Sequence, residues 1–162
     1  MNKYYIHCNS CGAQIADFGQ WFAHGQKCSK CGSNHADVVY PHGFEKLIQQ
    51  TQDKNFKPES VWDYFDFLPL ADKKHVVSAG GEGIRPIDHW KFMERFAKEK
   101  YNIDIKVYAH RHDTHKATGT FKDLAGTVVA SVMKEHGQDT FVAASTGNIG
   151  VAYARYLAAA GI

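Results

Sequence analysis

One lysine and one polar loop combine residue types and positions that suit chemistry on a small molecule. Lys122 follows the short run Thr118-Gly119-Thr120-Phe121 and begins a segment with apolar residues at helical spacing. A lysine amine can form a Schiff base with an aldehyde and can afterwards move protons. A first helical turn usually favours acidic over basic side chains, so the position of this lysine is unusual. An ordinary solvated lysine is the alternative interpretation.

The second feature is the loop Ser145-Thr146-Gly147-Asn148, which precedes an alanine-rich helical segment. Unpaired backbone N–H groups at a helix start, together with the helix dipole, suit a carboxylate or a phosphate. Ser, Thr and Asn are also preferred as helix N-caps, so a purely structural role is the alternative. The loop predicts an anion-binding position only in combination with Lys122.

All four cysteines lie near the N-terminus in two Cys-x2-Cys pairs, Cys8 with Cys11 and Cys28 with Cys31. A glycine follows the second cysteine of each pair and permits the positive φ of a tight turn. Two such turns facing each other supply four thiolates to a tetrahedral Zn²⁺, and this spacing is typical of zinc sites. The sequence therefore predicts a structural zinc site that is closed to substrate.

Three alternatives stay open for these cysteines. Two disulfides need an oxidising compartment, which nothing at the N-terminus indicates. A redox-active pair normally follows a strand and opens a helix, and neither pair is predicted to do so. A metal-free ribbon held by packing is the third alternative, although a segment of about 40 residues has little core of its own.

The elements that must position these groups divide the chain into three parts. Residues 1–40 are predicted to form a zinc ribbon of short strands, residues 41–75 a linker with short helices, and residues 76–162 part of an α/β domain. In the third part, hydrophobic periodicity predicts helices 88–101, 123–136 and 148–160 and strands 103–109 and 140–144. Strands that alternate with helices indicate a largely parallel sheet.

Three segments together resemble one enzyme superfamily. The run from Lys116 to Asp123, the loop with Gly150 two residues after Asn148, and the Gly81-Glu82-Gly83 element resemble the pyridoxal-phosphate (PLP) dependent enzymes of the tryptophan-synthase-β group, also called fold type II. Within that group the chain looks most like the threonine-synthase-like members, whose front part it resembles. Departures from the pattern are an additional glycine before Glu82, Arg85 in place of threonine, and Leu124 in place of arginine.

The resemblance implies roles for particular residues. Lys122 would carry PLP as a Schiff base, Asn148 would hydrogen-bond the cofactor's 3-hydroxyl oxygen, and the loop would bind the substrate carboxylate. The residues of this carboxylate-binding loop are Ser145, Thr146, Gly147 and Asn148. Arg85 would reach an anionic substrate group or pair with Glu82, and Lys116 would either bind an anionic group or lie on the surface.

A histidine-rich stretch leads to the lysine. By resemblance, His110, His112 and His115 lie in a loop that lines the substrate cleft. A metal site formed by these histidines with Asp113 is the alternative, since imidazole and carboxylate groups bind transition metals.

The resemblance also implies a reaction. A threonine-synthase-like lyase would convert O-phosphohomoserine and water to threonine and phosphate. A second possibility keeps the PLP chemistry and changes the substrate, as in cysteate synthase with O-phosphoserine. A third is a non-catalytic zinc-ribbon fragment that serves as an interaction module.

Composition limits the partners. With 19 basic and 17 acidic residues the net charge is +2, which gives no electrostatic reason to expect nucleic-acid or membrane binding. No apolar run approaches the ~20 residues of a membrane span, so we expect a cytoplasmic protein that acts on a small amino-acid phosphate and that could form a homo-oligomer. The family's later glycine-rich phosphate-binding segment does not follow Asn148. We therefore expect a truncated α/β domain that is inactive alone.

Overall fold

The computed structural model describes residues 3–162, which form five short strands and five helices with three 3₁₀ turns between them. Within this range, no helix is both long enough and apolar enough to cross a membrane. The mixture of helices and strands confirms the predicted α/β class.

The N-terminal part is a small antiparallel sheet with one short helix. Strands β1 (Tyr5–Cys8), β2 (Gln14–Ile15) and β3 (Ala36–Val39) pair in the order β2-β1-β3, with β1 in the centre. Helix α1 (Phe18–Ala23) follows β2 and starts where the Asp17 carboxylate accepts the backbone N–H of Gln20. The core between this sheet and α1 contains the buried side chains of Ile6, Cys8, Ile15, Trp21 and Cys28.

The middle part consists of short helical segments. Helix α2 (Gly43–Gln52) is one of the short helices predicted for residues 41–75, and a 3₁₀ segment, Val61–Phe67, follows. A capping box starts the 3₁₀ segment: the Ser60 hydroxyl accepts a backbone N–H, while the Asp63 carboxylate accepts that of Ser60.

A helix between two short strands opens the third part. Strand β4 (Ile87–His89) pairs antiparallel with β5 (Tyr108–His110), and helix α3 (Lys91–Tyr101) connects them. The predicted helix 88–101 thus begins three residues later. Only the end of the predicted strand 103–109 is regular, because no strand within residues 3–162 lies beside residues 103–106 and pairs with them.

Two long helices complete the third part. Helices α4 (Lys122–Glu135) and α5 (Asn148–Ala160) lie side by side and match the predicted helices to within one residue at each end. Their contact surface forms a second core of buried side chains: Val77, Ala130, Met133, Tyr156 and Leu157. Phe22 of α1 packs against this core, so the ribbon contacts the helices directly.

The predicted buried strand 140–144 is wrong for this structure. Residues 140–144 are irregular and exposed, and the Val142 side chain is 90% exposed. A strand needs a hydrogen-bonded neighbour, and none adjoins this segment in residues 3–162. For the same reason both sheets of the described chain are purely antiparallel, and the predicted parallel pairing is not formed in it.

Candidate functional site

The four cysteine sulfurs converge at one end of the N-terminal sheet. They all lie within 4.8 Å of one another, with 3.6 Å between Cys8 and Cys31 and 3.7 Å between Cys11 and Cys28. Tetrahedral Zn–S bonds of ~2.3 Å give sulfur separations of about 3.7 Å. The geometry therefore fits a four-thiolate metal site, and all four cysteines are free thiols.

Backbone amides prepare part of this cluster for ionisation. The N–H groups of Cys31 and Lys30 point to the Cys28 sulfur and lower the pKa of that thiol to about 7. For Cys31, the Ser33 amide favours ionisation, but the neighbouring Cys11 sulfur, burial and the Cys8 sulfur outweigh it and raise its pKa to about 12. Backbone amides favour a thiolate at Cys28 and neighbouring sulfurs oppose one at Cys31, and a bound cation would balance the negative charge of both.

Lys122 is the first residue of α4 and its side chain is half-buried. Its Nζ lies 4.2 Å from the centre of the Phe121 ring. Among residues 3–162, no carboxylate pairs with this amine and no hydrogen bond engages it. The Lys122 amine is therefore available for reaction with a ligand.

The loop before Lys122 is fixed by a buried carboxylate. Asp123, which is fully buried, accepts hydrogen bonds from the Thr118 backbone N–H at 3.1 Å and the Thr118 hydroxyl at 2.5 Å. This closes residues 118–123 into a rigid turn, in which Gly119 adopts a positive φ of 70°. The turn determines where Lys122 starts its helix.

The starts of α4 and α5 lie at the same end of the helix pair. Gly126, one turn after Lys122, packs against Ala152, which is one turn after Asn148. Farther along, Met133 and Leu157 belong to one core, so the two helices run in the same direction. This arrangement brings Lys122 and Asn148 to a common end of the pair.

The 145–148 loop is exposed and partly capped from within. The Ser145 hydroxyl accepts the backbone N–H groups of Gly147 at 3.3 Å and Gly150 at 3.1 Å, which is the structural role of the alternative interpretation. Within the described chain, the backbone N–H groups of Asn148 and Ile149 and the Asn148 amide make no hydrogen bond. The remaining donors can therefore serve an anion.

A buried polar network that the sequence analysis missed lies behind the site. The Tyr156 hydroxyl accepts the Gly81 N–H at 3.1 Å and donates to the Glu82 carboxylate at 3.0 Å. Ser78 donates to the same carboxylate. Burial raises the pKa of Glu82, but these hydrogen bonds and nearby amides outweigh it and hold the pKa below its ordinary value. Tyr156 gave no signal because a tyrosine in an apolar helix face is indistinguishable from core.

Arg85 and Lys116 lie together at a small cavity. Arg85 Nε donates to the Thr114 hydroxyl at 2.9 Å, and in residues 3–162 neither Arg85 nor Lys116 forms an ion pair within 4 Å. The alternative pairing of Arg85 with Glu82 is therefore not formed, because Ser78 and Tyr156 occupy that carboxylate.

The histidine rings before Lys122 pack against one another. The ring centres of His110 and His112 are 4.3 Å apart, and those of His112 and His115 are 5.8 Å apart. Asp113 forms a double hydrogen bond with Arg111, which removes it from any metal site with these rings. His115 is buried, and its Nδ1 lies 2.8 Å from the Gly81 carbonyl oxygen, which connects this stretch to the 80–83 loop.

Comparisons with known proteins agree with the chemistry of these groups. Residues 86–162 match the family of pyridoxal-phosphate dependent enzymes. The chain is 33% identical to a threonine synthase of Methanosarcina acetivorans over 98% of its own length and 35% of that protein. It is 26% identical to a threonine synthase of Methanocaldococcus jannaschii over 84% of this chain and 35% of that protein.

A third relative is bacterial. The chain is 33% identical to a threonine synthase of Halalkalibacterium halodurans over 62% of this chain and 26% of that protein. The chain thus spans about a third of the length of the curated relatives it matches. No solved structure matches it significantly.

Proposed function

We propose that this chain, which belongs to the superfamily of pyridoxal-phosphate dependent enzymes, supplies the cofactor lysine of a threonine-synthase-like lyase. The observation that carries the proposal is the common end of α4 and α5. There the available Lys122 amine and the free N–H groups of the 145–148 loop start two helices that run side by side.

The residues at this end suit the cofactor chemically. Lys122 offers an unpaired amine for the PLP aldehyde, and Asn148 offers a side-chain amide for the ring's hydroxyl oxygen. When bound, PLP supplies an electron-withdrawing ring that stabilises negative charge on the substrate's α-carbon. The Phe121 ring next to the Lys122 amine reduces its contact with water.

Different residues of this chain would take separate roles in the reaction. Lys122 Nζ would hold the cofactor, and its amine would also accept and return protons during the reaction. The backbone N–H groups at the start of α5 orient the substrate carboxylate, as helix N-termini do for anions. Asp123 positions Lys122 through the 118–123 turn.

For the substrate we propose a phosphorylated amino acid. The proposed reaction converts O-phosphohomoserine and water to threonine and phosphate, because the relatives are threonine synthases. O-phosphoserine, as in cysteate synthase, is the second candidate, because Arg85 and Leu124 depart from the threonine-synthase pattern. Activity with either substrate by a protein containing this chain distinguishes the two.

We also propose that the four cysteines hold a structural zinc ion. The support is the convergence of Cys8, Cys11, Cys28 and Cys31 with separations that match tetrahedral Zn–S bonds. Zinc would connect the turn after β1 to the turn before β3 and so stabilise the ribbon. It would have no part in the reaction, since four protein ligands complete the site.

Labelling tests the lysine directly. The chain is incubated with PLP, reduced with borohydride, and mapped by mass spectrometry, with Lys122→Ala as the test and Lys134→Ala, at the opposite end of α4, as the control. We expect the reduced cofactor on Lys122, a loss of this label in Lys122→Ala, and retention in Lys134→Ala. Equal labelling of both variants would contradict the enzyme proposal and favour a zinc-ribbon interaction module.

A further inference from the structure

A small cavity of about 200 Å³ lies next to the 80–83 loop, and two cationic side chains line it. Gly80, Gly81 and Gly83 contribute backbone, while Arg85 and Lys116 contribute the charges. The cavity therefore suits an anion of small size.

The Arg85 guanidinium is oriented by neighbouring groups. Its Nε donates to the Thr114 hydroxyl at 2.9 Å, and that hydroxyl donates to the Arg111 carbonyl at 2.7 Å. With Nε occupied, the two terminal nitrogens of the guanidinium are left for a ligand. Two parallel N–H donors are the arrangement with which arginine binds phosphate.

The glycine wall of the cavity is held rigidly. The Gly81 N–H donates to the Tyr156 hydroxyl and its carbonyl accepts from His115, while Ile84 N–H donates to the Glu59 carbonyl. In contrast, no hydrogen bond within residues 3–162 uses the backbone N–H groups of Gly80 and Gly83. A fixed wall with unused donors reduces the entropy cost of binding an anion.

We propose that this cavity binds the phosphate group of the substrate, an inference that rests on the proposed function for the substrate's identity. A phosphate monoester carries a charge of about −1.5 to −2 at neutral pH and has three acceptor oxygens, enough for the paired donors of Arg85 and the Lys116 ammonium together. A carboxylate has one charge and two oxygens, and the paired donors of Arg85 alone would use both. The carboxylate of the same substrate has its own donors at the 145–148 loop.

A glutamate at the cavity provides a test of whether the bound group is negatively charged. Glu59 also borders the cavity, and its side chain is exposed. A negative charge at this position opposes phosphate, so Glu59→Gln should strengthen binding or leave it unchanged. Arg85→Gln should weaken it, and Arg85→Lys should fall between because lysine keeps the charge without the paired donors.

The experiment is a titration of the ¹⁵N-labelled chain with inorganic phosphate, followed by NMR at constant ionic strength with chloride as the reference. We expect saturable shifts of the Gly80 and Gly83 amides. We also expect a dissociation constant about tenfold or more higher in Arg85→Gln. Arg95→Gln, which removes an exposed arginine from α3, is the matched control and should leave the constant unchanged. A spectrum with native dispersion verifies that each variant is folded.

Two outcomes would overturn the inference: no saturable shift near the 80–83 loop, or equal loss of affinity in Arg85→Gln and Arg95→Gln. A second arm uses O-phosphoserine, which should shift the 80–83 amides and those of residues 145–149 together if the phosphate comes from the substrate. Shifts at residues 145–149 alone would also overturn it. Because no arm needs PLP, a failure of cofactor labelling at Lys122 and a failure of this cavity are separate results.

Discussion

At the scale of single residues, close packing around the 80–83 loop is the most specific requirement on the sequence. A Cβ atom on Gly81 would clash with the Asp123 carboxylate and would lie 2.6 Å from Ala117 Cβ. Both neighbours belong to the rigid approach to Lys122. The glycine is needed for space, because its φ lies outside the left-handed region.

Gly81→Ala should therefore destabilise the fold by about 1–3 kcal/mol, the usual cost of overpacking. Gly147→Ala is the control, because no atom lies within 4 Å of the added methyl group, and it should change stability by less than about 0.5 kcal/mol. Urea unfolding monitored by circular dichroism measures both. Equal stabilities of the two variants would contradict the packing argument.

The Glu82 carboxylate should make stability dependent on pH. Its pKa in the folded protein is lowered, so its contribution is present above the unfolded-state pKa of ~4.5 and is lost as the pH falls through the folded-state value. Glu82→Gln should be less stable than the parent at pH 7, by about 1–3 kcal/mol. The difference should shrink as the pH falls below about 4.5, because the carboxyl group of the unfolded chain is protonated first and that of the folded protein only at its lower pKa. A difference that stays constant from pH 7 to pH 3 would contradict this assignment.

The sequence identified those site residues whose arrangement is set by a few neighbouring residues in the chain. The cysteine spacing predicted a cluster whose sulfurs do converge, because each Cys-x2-Cys turn is set by its own few residues. The partners of Glu82 were not predictable, because Tyr156 lies 74 residues away and meets it only after α5 packs. The role of Tyr156 depends on tertiary structure, which hydrophobic periodicity does not predict.

At the scale of elements, α4 is connected to the preceding chain by its own hydroxyl groups. Thr127 is fully buried, and its hydroxyl accepts the Trp62 indole N–H at 3.1 Å and donates to the Val77 carbonyl at 2.5 Å. Ser131, one turn later, accepts the Val77 N–H at 2.9 Å. These bonds join the middle part of the chain to the helix that begins at Lys122.

Thr127→Val keeps the shape of the side chain and removes these bonds, which leaves the partly buried Trp62 indole N–H and the buried Val77 carbonyl without a partner. We expect a loss of about 1–3 kcal/mol in unfolding free energy. Thr51→Val is the control, since that exposed hydroxyl only bonds carbonyls of its own helix and should change stability by less than about 0.5 kcal/mol. Thermal or urea unfolding measures the stability of both variants. Equal losses of stability in Thr127→Val and Thr51→Val would contradict the role given to Thr127.

The ribbon should depend on its metal separately from the helices. Cys11→Ala removes one proposed zinc ligand and should increase amide hydrogen exchange in residues 4–39 while residues 122–160 stay protected. Ser10→Ala, which changes an exposed neighbour, is the control. Metal analysis should give one zinc per chain for the parent and for Ser10→Ala. Protection of residues 4–39 that is unchanged in Cys11→Ala would indicate a ribbon held by packing alone.

The helices were predictable as elements, and the parallel sheet of the third part was not. The helix at Asn148–Ala160 matches its prediction because helical periodicity and the closing Gly161, with a positive φ of 82°, are local signals. Residues 140–144 have the composition of a buried strand, yet a strand also requires a partner. The sequence of a strand does not predict which other segment pairs with it.

At the scale of the whole molecule, we expect the chain to require further polypeptide for catalysis. It spans about a third of the threonine synthases it matches, and PLP bound only at Lys122 and Asn148 would lack donors for its phosphate. Charge-assisted hydrogen bonds contribute ~1.5–3 kcal/mol each, so several missing bonds weaken binding by orders of magnitude. Threonine should form from O-phosphohomoserine only when the remaining part of a threonine-synthase-like protein is supplied. Turnover by this chain alone would contradict the expectation.

An open apolar groove should make the isolated chain associate. A cavity of about 600 Å³ lies between α1 and α4, lined by apolar side chains that include Phe22, Val129, Met133 and Val142. Exposed apolar surface of this kind favours contact with another protein surface, because burial removes it from water. Sedimentation velocity should detect association that increases with concentration. Val142→Lys should reduce it by placing a charge in the groove. Ile87→Lys, an equal change at an exposed position on β4, should not; dissociation by Ile87→Lys alone would assign the contact to the β4–β5 face instead.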